Sequence, residues 1–406
     1  MRRAWWESVE KSVCGRFEAE AYNENLFNFN FLENVKVQFE TWQEDLKREE
    51  SYLNRYYNLS QDWITKIRIP SEQDRNELKQ IYLDNTNVIG ITCVQAASRS
   101  FCEEFKSFDV VIIDEVSKCT PPELLIPALK GKKLVLIGDY RQLPPMLNEN
   151  TIEDVAEAMS SMPGELSFLE ESLFKSQFAA ADESIKQMLT FQYRMHPQIM
   201  GAINQFYDHR LKCGLLDPDR QRAHNLSSSN IQAEHHVIWV DTPTGKGFEE
   251  KQEGTSFINE PEVEAIAKLC EQMNRVWMHN FECGEPKKEI SIITFYGSQL
   301  RLINKRIEPK NFPALQIRTG TVDRFQGMER QIIIVSLVRN NNMRKVGFAK
   351  KPERVNVAFS RAQELLVIVG SSDLFTQQSS AVSRMYSEVL NIVRRHGGLI
   401  NVSHIL

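Results

Sequence analysis

Two short runs in this 406-residue chain place acidic and amide side chains where a buried strand runs out toward solvent. The first, VVIIDEVSKC (residues 110–119), carries a β-branched run straight into Asp114 and Glu115. One carboxylate in that place can hold a hydrated Mg2+, and its neighbour can orient or deprotonate a water for attack on a γ-phosphate. Alone the pair is a weak signal, because acidic residues often end strands where the chain meets water. The second run, LVLIGDYRQLPPML (134–147), repeats the arrangement. Gly138 permits close backbone approach and Asp139 ends the strand. Gln142 both donates and accepts, which suits it to a phosphate and its attacking water. Gly138-Asp139 by itself reads equally well as an ordinary turn. The whole run following a DE strand is much more specific.

Stepping outward, the elements that must position these groups alternate in type. NVIGITCV (87–94), VVIID, KLVLIGD (133–139) and SIKQMLTFQYRMH (184–196) read as strands or strand-led loops, with helix-compatible segments between them. Residues 212–234 are polar, with LSSSN at 226–230, and read as an inter-domain linker. A second strand–helix series follows: HHVIWVDTP (235–243), EISIITFY (289–296), IRTGTVD (317–323), QIIIVSLV (331–338) and ELLVIVG (364–370). The tail from Asp373 reads as a helix with a final short strand. Residues 1–85 read as helical: Phe39, Trp42, Leu46, Leu53 and Tyr56 form a short heptad-like seam that Glu49 interrupts, which predicts a packed helical hairpin. Ser71 followed by Asp74 predicts a capping box.

Composition narrows the class. Hydrophobic residues make up 42% of the chain, enough for full cores, and no apolar run approaches the ~20 residues of a membrane span. The opening Met1-Arg2-Arg3 passes at once to Trp5, Trp6 and Glu7, unlike a signal peptide. Seven scattered cysteines, with no C-x-x-C pair and no metal spacing, predict reduced thiols in a cytoplasmic or nuclear protein. Net charge is −5, yet residues 301–361 hold 14 Lys/Arg against 4 Asp/Glu. That local excess predicts an anion-binding face, with an ordinary solvated basic face as the plainer alternative.

IIDEVSK, LIGDYRQLPP, LTFQYRMHP, TGTVDRFQGMERQIIIVS and RVNVAFSRAQELLVIVG stand in this order between residues 110 and 370. In this the chain resembles the superfamily 1 helicases of the Upf-like, DNA2/NAM7 type. The resemblance implies an α/β protein with two RecA-like domains, ATP and Mg2+ in the cleft between them, and single-stranded RNA or DNA across the top. It implies 5′→3′ movement and no membrane. Domain 1 would cover 86–211 and be incomplete, 212–234 would link, domain 2 would cover 235–372, and 373–406 would be a tail helix. Residue by residue, it implies that Asp114 organises the metal, Glu115 activates water, and Gln142 contacts the γ-phosphate. Arg194 and Arg361 would reach the phosphates, where a permanent charge and a forked donor are useful. Gly138, Asp139, Gln326, Gly327 and Glu329 would line the nucleotide site, and Tyr193 would stack on adenine, with a core tyrosine as the rival. Thr92, Thr294 and Thr321, with Arg324, would touch the nucleic-acid backbone, although a strand-end threonine is more often a local hydrogen-bonder.

One part of the pattern is missing. A phosphate loop G-x-x-x-x-G-K-[ST] should precede the DE strand, but residues 1–89 contain a single glycine, Gly15. Cradling phosphates with backbone amides needs several positions free of Cβ. TGKG at 244–247 lacks the flanking requirements. The expectation is a helicase that begins after its first nucleotide motifs, with residues 1–85 as the family's helical insertion. A truncated or split product is the favoured origin. A separate polypeptide supplying the missing segment, or a degenerate nucleotide-independent relative, are the others. A non-catalytic single-strand-binding or scaffold module is the alternative function.

Overall fold

The computed structural model describes residues 29–69, 71–145, 172–245, 247–377 and 380–406. Parts of the expected helical segment (1–28 and Pro70), of the first domain (146–171) and of the TGKG run (Lys246) lie outside them. The chain divides into two units, Met1–Gly90 and Ile91–Leu406.

In the first unit, α1 (Phe29–Arg68) is a single 40-residue helix and α2 (Glu72–Asp84) follows. The capping box is present: Ser71 Oγ accepts the Asp74 amide at 3.1 Å, and the Asp74 carboxylate accepts the Ser71 amide at 3.0 Å. The expected packed hairpin is not formed among the described residues: Phe39, Leu46, Leu53 and Tyr56 are all exposed, and α2 buries no residue. A heptad pattern supplies a seam but not the surface that fills it.

The second unit opens with a correction. NVIGITCV forms no strand. Val88 and Ile91 are exposed, and Thr92 instead caps the short helix α3 (Cys93–Ala96), with α4 (Arg99–Glu104) next. Apolar β-branched runs become strands only where a neighbour takes their backbone groups. β1 (Phe108–Ile113) and β2 (Gly131–Leu136) do find each other, in parallel register from Phe108↔Gly131 to Ile113↔Leu136. Between them runs α5 (Pro121–Ala128), opened by a Thr120–Glu123 capping box. Ile113, Val116 and Leu124 pack with Phe174 of α6 (Leu173–Ala180) over one face of this pair. The run 184–196 contributes only β3 (Phe191–Gln192). It then leads to α7 (Pro197–Asn204). The predicted linker is folded rather than loose. β4 (Lys212–Cys213) pairs with β3, α8 (Pro218–Gln221) follows, and His224, Leu226 and Ile231 are buried.

The second sheet is complete. It comprises β5 (Val237–Asp241), β8 (Lys288–Thr294), β9 (Leu315–Thr321), β10 (Arg330–Ser336), β11 (Ala362–Gly370) and β12 (Leu399–Asn401). Their order is β12-β5-β11-β10-β8-β9, all parallel. β6 (Lys251–Glu253) and β7 (Ser256–Ile258) form a separate hairpin. Ile332–Val335 and Leu365–Val369 are fully buried, as central parallel strands covered on both faces require. The 23-residue α9 (Glu260–Glu282), capped by Asn259, lays Val263, Ile266, Cys270, Met273 and Trp277 on one face of the sheet. α10 (Gly297–Arg306) is packed by Ile303 into the same core. The other face takes α11 (Pro352–Phe359), α12 (Ser372–Thr376) and α13 (Ala381–Arg395). From Asp373 the chain forms the expected helical segment and the expected final short strand, β12, which returns to the sheet beside β5.

Candidate functional site

β1 ends at Ile113, and Glu115 takes a left-handed backbone (φ 53°) immediately beyond it. The Asp114 carboxylate accepts the Glu115 amide at 2.8 Å, and both side chains are exposed. The ladder continues past the strands: Ile137 N donates to Ile113 O at 2.9 Å and Val116 N to Ile137 O at 3.0 Å. This draws the loop after β2 against the DE turn. A Cβ on Gly138 would lie 2.8 Å from Val116 Cγ1, so the approach needs glycine there.

Asp139 organises the next loop. Its Oδ1 accepts the Arg141 amide at 3.0 Å, while Oδ2 accepts Gln142 Nε2 at 2.8 Å and the Tyr207 hydroxyl at 2.6 Å. Arg361, far along the chain beyond α11, donates to Gln142 Oε1 at 3.2 Å. The same guanidinium donates to Ser360 Oγ, Val357 O and Met328 O. It is 1% exposed, and burial lowers its pKa to about 10, still charged at neutral pH.

The second arginine has a different partner. Arg194 Nε donates to Glu329 at 2.6 Å and Nη1 to Ser360 O at 3.2 Å. Arg222 fixes the loop by donating to the carbonyls of Tyr193 and Arg194 at 2.7 and 2.6 Å. Burial works to raise the Glu329 carboxyl, but the Arg194 charge and hydrogen bond outweigh it, and the net shift is downward. Gln363 donates to the other Glu329 oxygen at 2.8 Å. Gly327 holds a left-handed turn (φ 78°), and both polar side-chain atoms of Gln326 are buried without a partner. Tyr193 is 62% exposed and lies against Gly214, so it is not a core tyrosine.

The expected nucleic-acid contacts divide. Thr294 and Thr321 end adjacent strands and pair in register, but Thr294 is fully buried with its hydroxyl unpartnered. In this arrangement it cannot reach a bound strand. Thr92 Oγ1 is spent on the Gln95 amide as a helix cap. Thr321 is half-buried and Arg324 exposed. The basic excess of 301–361 is also partly offset. Arg301, Arg306, Arg330 and Arg339 pair with Glu253, Glu264, Glu289 and Glu250, all from outside the segment.

Sequence reasoning missed two groups. One is Tyr207 with Asn356, whose Nδ2 donates to the Tyr207 hydroxyl and to Arg141 O, each at 2.9 Å. Asn356 stands inside RVNVAFSRA, which was the available signal. The other is a histidine cluster. His196 of QYRMHP stacks on His236 with centroids 3.4 Å apart, and His224 meets His236 edge-on at 5.3 Å. His196, Asp219 and His236 are metal-ligand types in reach of one another. Both His196 nitrogens are already used, however: Nδ1 accepts the Gln198 amide and Nε2 faces Asp219 at 2.9 Å. Two stacked rings also cannot both aim in-plane lone pairs at one ion. The cluster therefore fits a structural latch rather than a metal centre.

The residues present fit a magnesium nucleotide in their chemistry. Exposed oxygen donors at a strand end suit a hard cation, and two arginines with a neutral amide converge nearby. Two family models, each described as an AAA domain, match residues 10–150 and 169–373. The chain is 31% identical over 309 residues to the DNA replication ATP-dependent helicase/nuclease DNA2 of Saccharomyces cerevisiae, covering 71% of this chain and 19% of that one. It is 31% identical to regulator of nonsense transcripts 1 of Dictyostelium discoideum, covering 75% and 21%. Against the DNA polymerase alpha-associated DNA helicase A of Saccharomyces cerevisiae it is 28% identical, covering 84% and 51%. The chain thus spans between about a fifth and a half of the length of these relatives.

Proposed function

Because the chain belongs to the superfamily 1 helicases of the Upf1/DNA2 type, we propose that Ile91–Leu406 forms most of an ATP-hydrolysing cleft that moves single-stranded nucleic acid. The observation that carries this reading is the meeting of Gln142, in the loop after β2, and Arg361, in the turn between α11 and β11, at 3.2 Å and 219 residues apart. Asp114 would hold the metal, and Glu115 positions and deprotonates the attacking water. A bound magnesium ion would neutralise phosphate charge. Gln142 and Arg361 exchange their mutual bond for contacts to the terminal phosphate, and Arg361 offsets the charge that develops there. Arg194 and Glu329 divide their pairing between phosphate and ribose. Thr321 and Arg324 are the surface groups that contact the strand, without reading its sequence.

Because no G-x-x-x-x-G-K-[ST] run occurs in the 406 residues, we further propose that this chain alone hydrolyses ATP negligibly. Supplying a phosphate-loop segment, either fused or as a separate polypeptide, restores a nucleic-acid-stimulated ATPase. Glu115→Gln then lowers kcat by ~100-fold or more. Vigorous hydrolysis by the 406-residue chain would overturn the loop argument. A restored ATPase indifferent to Glu115→Gln would overturn the site assignment. The scaffold reading has the absent phosphate loop in its favour. It requires binding that weakens steeply with salt and ignores ATP–Mg2+.

A further inference from the structure

The corner that follows α7 is held in an uncommon conformation. Asp208 and His209 both have left-handed backbones, at φ 53° and 55°, and neither is glycine. Several tertiary bonds hold the corner there, and those of Phe206, Tyr207 and Asp208 converge on one place, the loop of Asp139 and Gln142. Arg141 donates to the Phe206 carbonyl and to the Asp208 carboxylate. Tyr207 donates to Asp139 at 2.6 Å. The same hydroxyl accepts from Asn356 at 2.9 Å. Asn356 is fully buried in α11, the helix whose end delivers Arg361.

One phenolic oxygen therefore touches both chains of support. Through Asp139 it reaches Gln142, whose Nε2 the same carboxylate oxygen holds at 2.8 Å. Through Asn356 it reaches the helix behind Arg361. We propose that Tyr207 is a positioning residue, locking the amide that senses the terminal phosphate in register with the arginine that neutralises it. This rests on the cleft reading given above and deepens it. When Gln142 and Arg361 release each other for phosphate, the Tyr207 bonds lie behind both side chains and need not break. The two groups then move as one unit. Burial beside the Asp139 carboxylate pushes the Tyr207 hydroxyl well above its ordinary range, so it remains a donor throughout the working pH range.

The test is Tyr207→Phe, which keeps the ring and removes the oxygen. In the 406-residue chain without nucleotide, amide exchange should rise about tenfold in 139–145 and 352–361, the scale of one hydrogen bond to a charged group, and stay unchanged in 331–336. In whichever form of the wild type hydrolyses ATP, kcat should fall about tenfold while KM for ATP stays within about twofold. Combined with Gln142→Ala, the loss in kcat should be less than the product of the two single losses, because both act through one contact. Unchanged exchange in both segments overturns the proposal. So does a loss that multiplies independently with Gln142→Ala, or one that appears only as a lowered thermal midpoint. If no form of the wild type hydrolyses ATP, the cleft reading fails, and the exchange result alone decides whether Tyr207 couples the two loops.

Discussion

The two main parallel sheets of Ile91–Leu406 are built from the same kind of residue run and differ in what covers them. β10 and β11 sit in the middle of six strands, and the side chains of Ile332–Val335 and Leu365–Val369 are fully buried. Among the described residues β1 and β2 pair only with each other, and one face of the pair shows Val110, Ile112 and Val135 at 48, 64 and 43% exposure. Yet Asp114, Glu115, Gly138, Asp139 and Gln142 all lie at the ends of the thinly covered pair. Arg361 and Glu329 come from the well-packed sheet. Stability is thus concentrated on one wall of the candidate cleft, and the carboxylates proposed for the chemistry stand on the other. The hydrogen bonds of Arg361 and Tyr207 to the 139–142 loop tie the weaker wall to the stronger.

The comparison is most easily broken at a buried ion pair. Lys288 and Glu364 meet at 2.6 Å with side chains 3% and 13% exposed, and the ammonium also lies 4.7 Å from the Trp277 ring centroid. Glu364→Ala leaves that charge unpaired inside the second sheet and should cost about 3–5 kcal/mol, read by urea unfolding. An effect under about 1 kcal/mol would mean that this wall is not the stable one. Core truncation gives the next contrast. Ile333→Ala in β10 should cost about 2–5 kcal/mol. Ile112→Ala, at an exposed position of the same residue type, should stay within about 0.5 kcal/mol. Equal costs would show that the open face of β1 is covered in solution.

Most of this was legible in the sequence wherever burial writes its own pattern. QIIIVSLV and ELLVIVG announce strands covered on both faces, and VVIIDE and LVLIGD announce strands that run out into acidic turns. The capping box at Ser71 could be read because its chemistry is local. NVIGITCV failed because a strand depends on a neighbour, which no property of the run itself reveals. The 212–234 segment shows the opposite limit: its polar composition hid His224, Leu226 and Ile231, which are buried singly rather than as a stripe. Among the candidate residues, the family resemblance implied that Gln142 and Arg361 serve one phosphate, and the two side chains do meet. It could not show that Thr294 is buried, nor that Tyr207 joins the two loops, because those are facts about packing between distant segments.

Titration sharpens the contrast from a third side. Burial lowers the pKa of His224 and His236 to about 4 from 6.5. The unfolded chain takes up these protons first, so stability is full above pH 6.5 and is lost as pH falls toward 4. Glu262 is fully buried, accepting from Ser336 Oγ at 2.6 Å and from the amide of Val338, a β-branched residue at φ 69°. Burial raises its pKa from 4.5 to about 8. The native state holds that proton when the unfolded chain has released it, so this contribution is full below pH 4.5 and declines as pH rises toward 8. Thermal midpoints should therefore peak near pH 6.5, falling below it through the histidines and from there up to pH 8 through Glu262. Glu262→Gln should flatten the alkaline side, and His236→Asn, which can keep a donor toward Glu364 O, should flatten the acid side. An alkaline decline that survives Glu262→Gln would assign it to another group.

The smallest expected effect belongs to the first sheet. Lys132 and Asp109 meet at 2.8 Å across β1 and β2, a distance close to that of Lys288 and Glu364, but their side chains are 70% and 89% exposed. Asp109 is held below its usual carboxylate range by its hydrogen bond to Lys132, and water and salt screen the attraction. Asp109→Asn should leave the unfolding midpoint where it was, at low and at high salt alike. The two ion pairs together test one claim: depth of burial, and not the closeness of two charges, separates the walls of this cleft. If Asp109→Asn proved costly, β1 and β2 would have to be better covered in solution than their exposed faces indicate, and the carboxylates proposed for the chemistry would stand on firmer ground than the second sheet alone provides.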